Sequence, residues 1–87
     1  MKAVISVIGH DAKGIIAKVS SICAEHETNI IDITQSVMKE YFAMVMVTEL
    51  CDSNFSALSA SLADFEKASG MKVHVMHEDI FNSMHRI

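Results

Sequence analysis

Residues 2–9 read Lys-Ala-Val-Ile-Ser-Val-Ile-Gly, and residues 42–48 read Phe-Ala-Met-Val-Met-Val-Thr. Both runs are short, rich in β-branched or bulky residues, and apolar on both sides of a pleat. An exposed strand alternates apolar and polar residues, so runs like these predict strands covered on both faces. They are the two central strands of whatever sheet the chain forms.

The segments around them supply the rest. Gly9-His10-Asp11 breaks the first run. From Ala12 to about His26, Ile15, Ile16, Val19, Ile22 and Cys23 recur at helical spacing and predict an amphipathic helix. Asp11 is suited to cap it. Asn29 marks a turn. Residues 30–39 then alternate, with Ile31, Ile33 and Val37 against Asp32, Thr34 and Ser36, as in a half-buried strand. Glu40-Tyr41 connects it to the second apolar run. After a turn at 51–54, Phe55, Leu58, Leu62 and Phe65 form the apolar stripe of a second helix that Gly70 ends. Residues 71–77 set Met71, Val73 and Val75 against Lys72 and His74, a fourth strand. In the tail, Ile80, Phe81, Met84 and Ile87 share one side of a short helix that Asp79 can cap.

The order β-α-β-β-α-β predicts an α+β, ferredoxin-like sandwich. It has a four-stranded antiparallel sheet with two helices on one face, plus a short C-terminal helix. Right-handed crossovers interleave the two halves and place the first and third strands at the centre. The 87 residues form one domain, 1–87, with no linker or repeat. Two helices cover only one sheet face. The other needs a partner subunit or the tail helix, and 51% hydrophobic residues favours an oligomer.

Composition excludes several function classes. The net charge is −4 and the seven basic residues are scattered, so no cationic face exists for nucleic acid or an anionic membrane. No apolar stretch approaches the ~20 residues of a bilayer span, and no signal peptide is visible. A cytoplasmic protein is expected, with Cys23 and Cys51 as structural thiols. An RNA-binding sheet would carry aromatics on its central strands, but Phe55, Phe65 and Phe81 fall on helices, only Tyr41 and Phe42 are near a strand, and the charge is wrong. A copper chaperone would have thiols in the first loop, and this loop has none. An acyl-phosphate hydrolase needs an arginine there, whereas the sole arginine is Arg86. No Ser/His/Asp constellation or carboxylate pair stands out, so no enzyme is expected and no cofactor. His74 and His77 face opposite sides of a strand and cannot readily share an ion. A metal group of His77, Asp79 and His85 is a minor reading, and no metal site is assigned. The seven methionines, Met38, Met44, Met46 and Met76 among them, are expected to pack a core or a subunit interface.

Four segments carry a family resemblance. They are a D-x-x-G-I loop (Asp11, Gly14, Ile15), an N-I-x-D-I-x-Q strand (Asn29 to Gln35), a Y-F-x-M hairpin (Tyr41, Phe42, Met44) and an H-E-D-I-F tail (His77 to Phe81). Together, over residues 3–87, the chain resembles the ACT domain, and more narrowly the small stand-alone ACT proteins. The resemblance implies a regulatory module that dimerises and binds an amino acid or similar metabolite at the interface. The first loop of one subunit would face the second strand of another. Carried onto this sequence, the ligand-binding positions are His10, Asp11, Gly14 and Ile15 with Asn29, Ile30 and Ile31. A helix N-terminus suits a carboxylate. Gly14 admits close approach to the backbone. Asp11 can pair with an ammonium group, and Asn29 both donates and accepts. Each also has a plain structural role: Asp11 as a cap, Gly14 in tight packing, Asn29 in a turn, His10 as a solvated loop residue. Lys13 stands where many ACT loops have proline, which loosens the helix start and adds a charge beside the pocket. The alternative is a ligand-free adaptor that dimerises or docks on another protein.

Overall fold

The computed structural model describes residues 1–10 and 13–84. Its elements are β1 (Lys2–Gly9), α1 (Ile15–Glu25), β2 (Asn29–Met38), β3 (Tyr41–Glu49), α2 (Phe55–Ser69), β4 (Lys72–His77) and α3 (Glu78–Met84). The strands lie in the order β2-β3-β1-β4, and each neighbouring pair is antiparallel. The two apolar runs are the central strands, as their composition requires.

The pleat divides each central strand between two faces. Ile5 pairs with Met46 and Val7 with Met44. These four side chains join Val19 and Cys23 of α1 and Leu58, Leu62 and Phe65 of α2 in one buried core. Burying a side chain of this kind stabilises by about 1.5–3 kcal/mol. Thr48 is a buried polar residue in this layer, and its hydroxyl donates to the Ala3 carbonyl at 2.9 Å. The bond satisfies a hydroxyl that would otherwise be buried at a cost.

On the opposite face Val4 is only 2% exposed. Among the described residues, α3 packs on β1 and β4 and on neither other helix. The tail helix is thus placed against these two strands, but farther along the face of Val4 and Met76 the residues Ile8, Lys72 and His74 stay exposed. The cap of α3 differs from expectation. The helix starts at Glu78, and the Asp79 N–H donates to Nδ1 of His77 at 3.1 Å. His77 is the cap and Asp79 lies in the first turn. Ile87, the last member of the tail stripe, lies outside the described residues.

The edge strand β2 departs most from its expected half-burial. Every residue from Ile31 to Glu40 is exposed. A ten-residue strand spans about 33 Å, whereas the eleven residues of α1 span about 16 Å. The helix covers only part of that length, and Val37 stays 68% exposed although it lies on the helix side of the sheet, opposite Phe42. Met38 is likewise exposed and Met44 and Met46 are core. The turn is Lys39-Glu40, one residue earlier than expected, and Lys39 takes a positive φ of 55°. The other edge is blocked: the Val73 N–H donates to the Glu66 carboxylate at 2.7 Å. A charged group on an edge amide discourages strand addition there.

Helix α1 ends in a Schellman arrangement. The Thr28 N–H donates to the Cys23 carbonyl at 2.8 Å and the Glu27 N–H to the Ala24 carbonyl at 3.1 Å. The residue forced to positive φ is Glu27, at 51°, where glycine is favoured. The turn is thus made by Glu27, and Asn29 is already the first residue of β2. Glu27→Gly removes a Cβ penalty of about 1–2 kcal/mol and adds back part of it as chain entropy. The expected result in urea unfolding is a net gain of about 0.5–1 kcal/mol. A loss of stability would contradict the cap geometry.

Candidate functional site

The first half of the expected site lies where β1 meets α1. His10 follows the last residue of β1 and is exposed, with its ring centroid 4.8 Å from that of Tyr41 at a tilt of 39°. Asp11 lies outside the described residues. Gly14 occupies the cap position of α1 in the left-handed region, with φ 72°. The helix therefore begins three residues later than the expected start at Ala12, and the cap position is held by Gly14. Among the described residues no side chain caps it, and the Asp11 cap expected there falls on a residue outside them. The first helical bond runs from the Lys18 N–H to the Gly14 carbonyl at 3.0 Å. The N–H groups of Ile15, Ile16 and Ala17 thus precede the helical ladder. A Cβ placed on Gly14 meets nothing within 4 Å, so the space beside the cap is open. Ile15 turns its side chain into the core, leaving its backbone for any ligand.

The second half lies at the opposite end of the sheet. Asn29 is exposed and pairs with Glu49. Ile30 is half-buried against the core, opposite Thr48. A register shift between Ile30 and Asp32 makes Ile31 a bulge, and its side chain is exposed. The Ile33 N–H donates to the Asp32 carboxylate at 2.8 Å just beyond it.

The sheet register measures how far apart the halves are. Gly9 pairs with Phe42, and Asn29 with Glu49. Those positions on β3 are separated by about 23 Å at ~3.3 Å per residue. Within one chain the loop and Asn29 do not meet. What the loop does meet is the β2–β3 hairpin, through His10 and Tyr41. No sequence signal indicated that contact, because it depends on the register of two strands.

Elsewhere, among the described residues, no three His, Cys, Asp or Glu side chains converge on a metal position. His77 and Asp79 approach to 3.6 Å, and His85 lies outside the described residues. His26 accepts or donates a 2.8 Å bond to Ser61, a tie between the two helices. Cys23 is buried, but Cys51 is exposed, so only Cys23 is a core thiol. No helix among the described residues is long and apolar enough to cross a membrane.

A family model described as the ACT domain matches residues 2–76. A UPF0237 protein of Clostridium acetobutylicum is 48% identical over 89 residues, covering 100% of both chains. A UPF0237 protein of Methanopyrus kandleri is 43% identical, over 99% of this chain and 98% of its own. Among solved structures, an ACT domain protein from Streptococcus pneumoniae superimposes with a TM-score of 0.78 at 39% identity, covering 93% of each chain. The regulatory subunit of aspartate kinase from Thermus thermophilus gives a TM-score of 0.70 at 23% identity, over 88% of this chain and 51% of that one. The last likeness concerns the fold alone.

Proposed function

Because this chain belongs to the ACT-domain family, a family of regulatory ligand-binding modules, we propose that it is a single sensing domain, 1–87, that works as a homodimer. It binds an amino-acid-like metabolite in the cytoplasm, passes the signal to another protein and has no catalytic activity of its own. A fold relative that is itself a regulatory subunit supports this reading.

The observation that carries it is the separation of the two half-sites. A second copy removes that separation in a simple way. The β2 edge is open between the Ile31 bulge and the turn, and Ile33, Val37 and Met38 along it are exposed. Two such edges paired antiparallel about Thr34 form a two-fold contact. Position 31 of one copy then lies level with Val37 of the other, which pairs with Phe42 and so marks the level of Gly9. Asn29, Ile30 and Ile31 of a second copy arrive at the sheet end that holds His10 and Gly14. There the amide groups of the α1 start suit a carboxylate. Asp11 suits an ammonium group, and Asn29 of the second copy offers one donor and one acceptor.

The test is a thermal-shift screen of the purified protein against all the common amino acids, followed by calorimetry. A ligand at 100 times its dissociation constant stabilises the fold by about 2.7 kcal/mol. Asp11→Ala and Asn29→Ala are each expected to abolish the shift. Mixing the two variants is expected to restore it in part, because a mixed dimer keeps one intact site built from the unaltered loop of one chain and the unaltered strand of the other. No restoration would reject a site shared between copies. No response of the native protein to any amino acid would favour the ligand-free adaptor. That reading has its own support in Ile80 and Met84 of α3, which stay 54% and 66% exposed and offer a surface for a protein partner.

A further inference from the structure

The helix layer has an outer surface that neither the ligand site nor the β2 edge uses. A solvent-facing helix surface ordinarily carries charged residues. Here Lys18 and Glu25 are the only charged residues of α1, and the first nine residues of α2, Phe55 to Ala63, carry none. The exposed positions between them are small: Ala17, Ser21 and Ala24 on α1, Ala57 and Ala60 on α2. A groove runs between the helices, lined by Ala17, Lys18, Ser21, Ile22, Glu25 and Phe65. Small side chains over an apolar floor allow another helix to approach closely.

The charges identify the occupant. Lys18 and Glu25 stand at the two ends of the groove, about 10 Å apart along the axis at ~1.5 Å per residue. Among the described residues neither has an ion-pair partner. When two α1 helices are laid antiparallel about a two-fold axis between Ser21 and Ile22, Lys18 of each falls opposite Glu25 of the other. The surface is therefore complementary to itself, which an isologous contact demands. We propose that the α1–α2 face docks on the same face of a second copy, antiparallel, with the Lys18–Glu25 pair made twice. This contact is separate from β2 pairing, since one uses the helix layer and the other a sheet edge. Used together they carry assembly beyond two copies. The footprint, roughly 16 by 20 Å from helix length and diameter, is about 320 Å² on each copy, below what a standard stable interface buries, so the contact is weak and association depends on concentration.

Sedimentation equilibrium over a wide concentration range tests it. The full chain is expected to gain mass in a step that Lys18→Glu or Glu25→Lys each weakens about tenfold or more by setting like charges together. The double variant Lys18→Glu/Glu25→Lys restores the complementarity and is expected to recover the step. Both positions are exposed, so circular dichroism should stay unchanged. In a Val37→Lys background, which charges the β2 edge, the same step should persist between one copy and two. The proposal is overturned if no step responds to either reversal, or if the double variant stays as weak as the singles. Loss of association in Val37→Lys alone, with the charge-swap behaviour intact, would bear on β2 pairing and leave the helix contact standing.

Discussion

In native buffer Cys51 is expected to react with a thiol reagent as a free cysteine does, while Cys23 reacts only as fast as the chain unfolds. Cys51 is exposed ahead of α2, whereas Cys23 is 1% exposed in the core beneath α1. Burial also pushes the Cys23 thiol pKa up, because an apolar surrounding disfavours the thiolate that does the chemistry. If opening tracks a global stability of at least ~5 kcal/mol, the two rates differ by about 5,000-fold or more. The same shift sets a pH dependence. The folded value lies above the unfolded one, so the contribution of Cys23 to stability is complete at pH below the ordinary thiol range. It declines as pH rises through that range, because the unfolded chain releases a proton that the fold retains. Equal labelling of both thiols at neutral pH would show that α1 does not pack as described.

Leu58→Ala is expected to cost about 2–5 kcal/mol, read as a lower urea midpoint at nearly constant slope. Leu58 is fully buried on α2, within the cluster that joins both helices to β1 and β3. Removing its branch leaves a cavity that a dense core refills only in part. A domain of this size has only about 5–15 kcal/mol in total, so the variant approaches the edge of folding. The exposed side of α2 gives the contrast: Ala60→Ser should move the midpoint little. A Leu58→Ala cost below about 1 kcal/mol would place the side chain outside the core.

The sheet order was legible in the residues because burial on two faces and burial on one leave different patterns. Residues 2–9 and 42–48 have no polar side to offer water, so they had to be central. The strand 30–39 carries the alternation of a half-buried strand, and here the pattern misleads. Ile33 and Val37 lie on the helix side, opposite buried Met46 and Phe42, yet both stay exposed. Periodicity reports which side chains share a face and says nothing of what lies above that face. The end of α1 and the hairpin turn were misplaced by a residue or so for a related reason. Glu27 and Lys39 hold left-handed backbone that glycine would have announced. The positions of the candidate site could be carried over by resemblance, but their separation could not. It follows from which residue of β3 faces Gly9 and which faces Asn29, a property of register that no local motif encodes.

The pairing of Ala3 with His77 also fixes the order in which the protein can be built. The β2–β3 hairpin closes across a two-residue turn and can form within microseconds. Strand β1, by contrast, has neighbours about 40 and 70 residues away in the chain. Contacts this distant slow folding, because loop closure must precede any gain from them. During synthesis β1, largely apolar, therefore waits with one edge bare until residues 42–49 emerge and with the other bare until residues 72–77 do. The segment that anchors the finished sheet is the one most exposed to sticking to other chains before the sheet exists. Its central position stabilises the native fold and makes the nascent chain depend on rapid completion or on a chaperone.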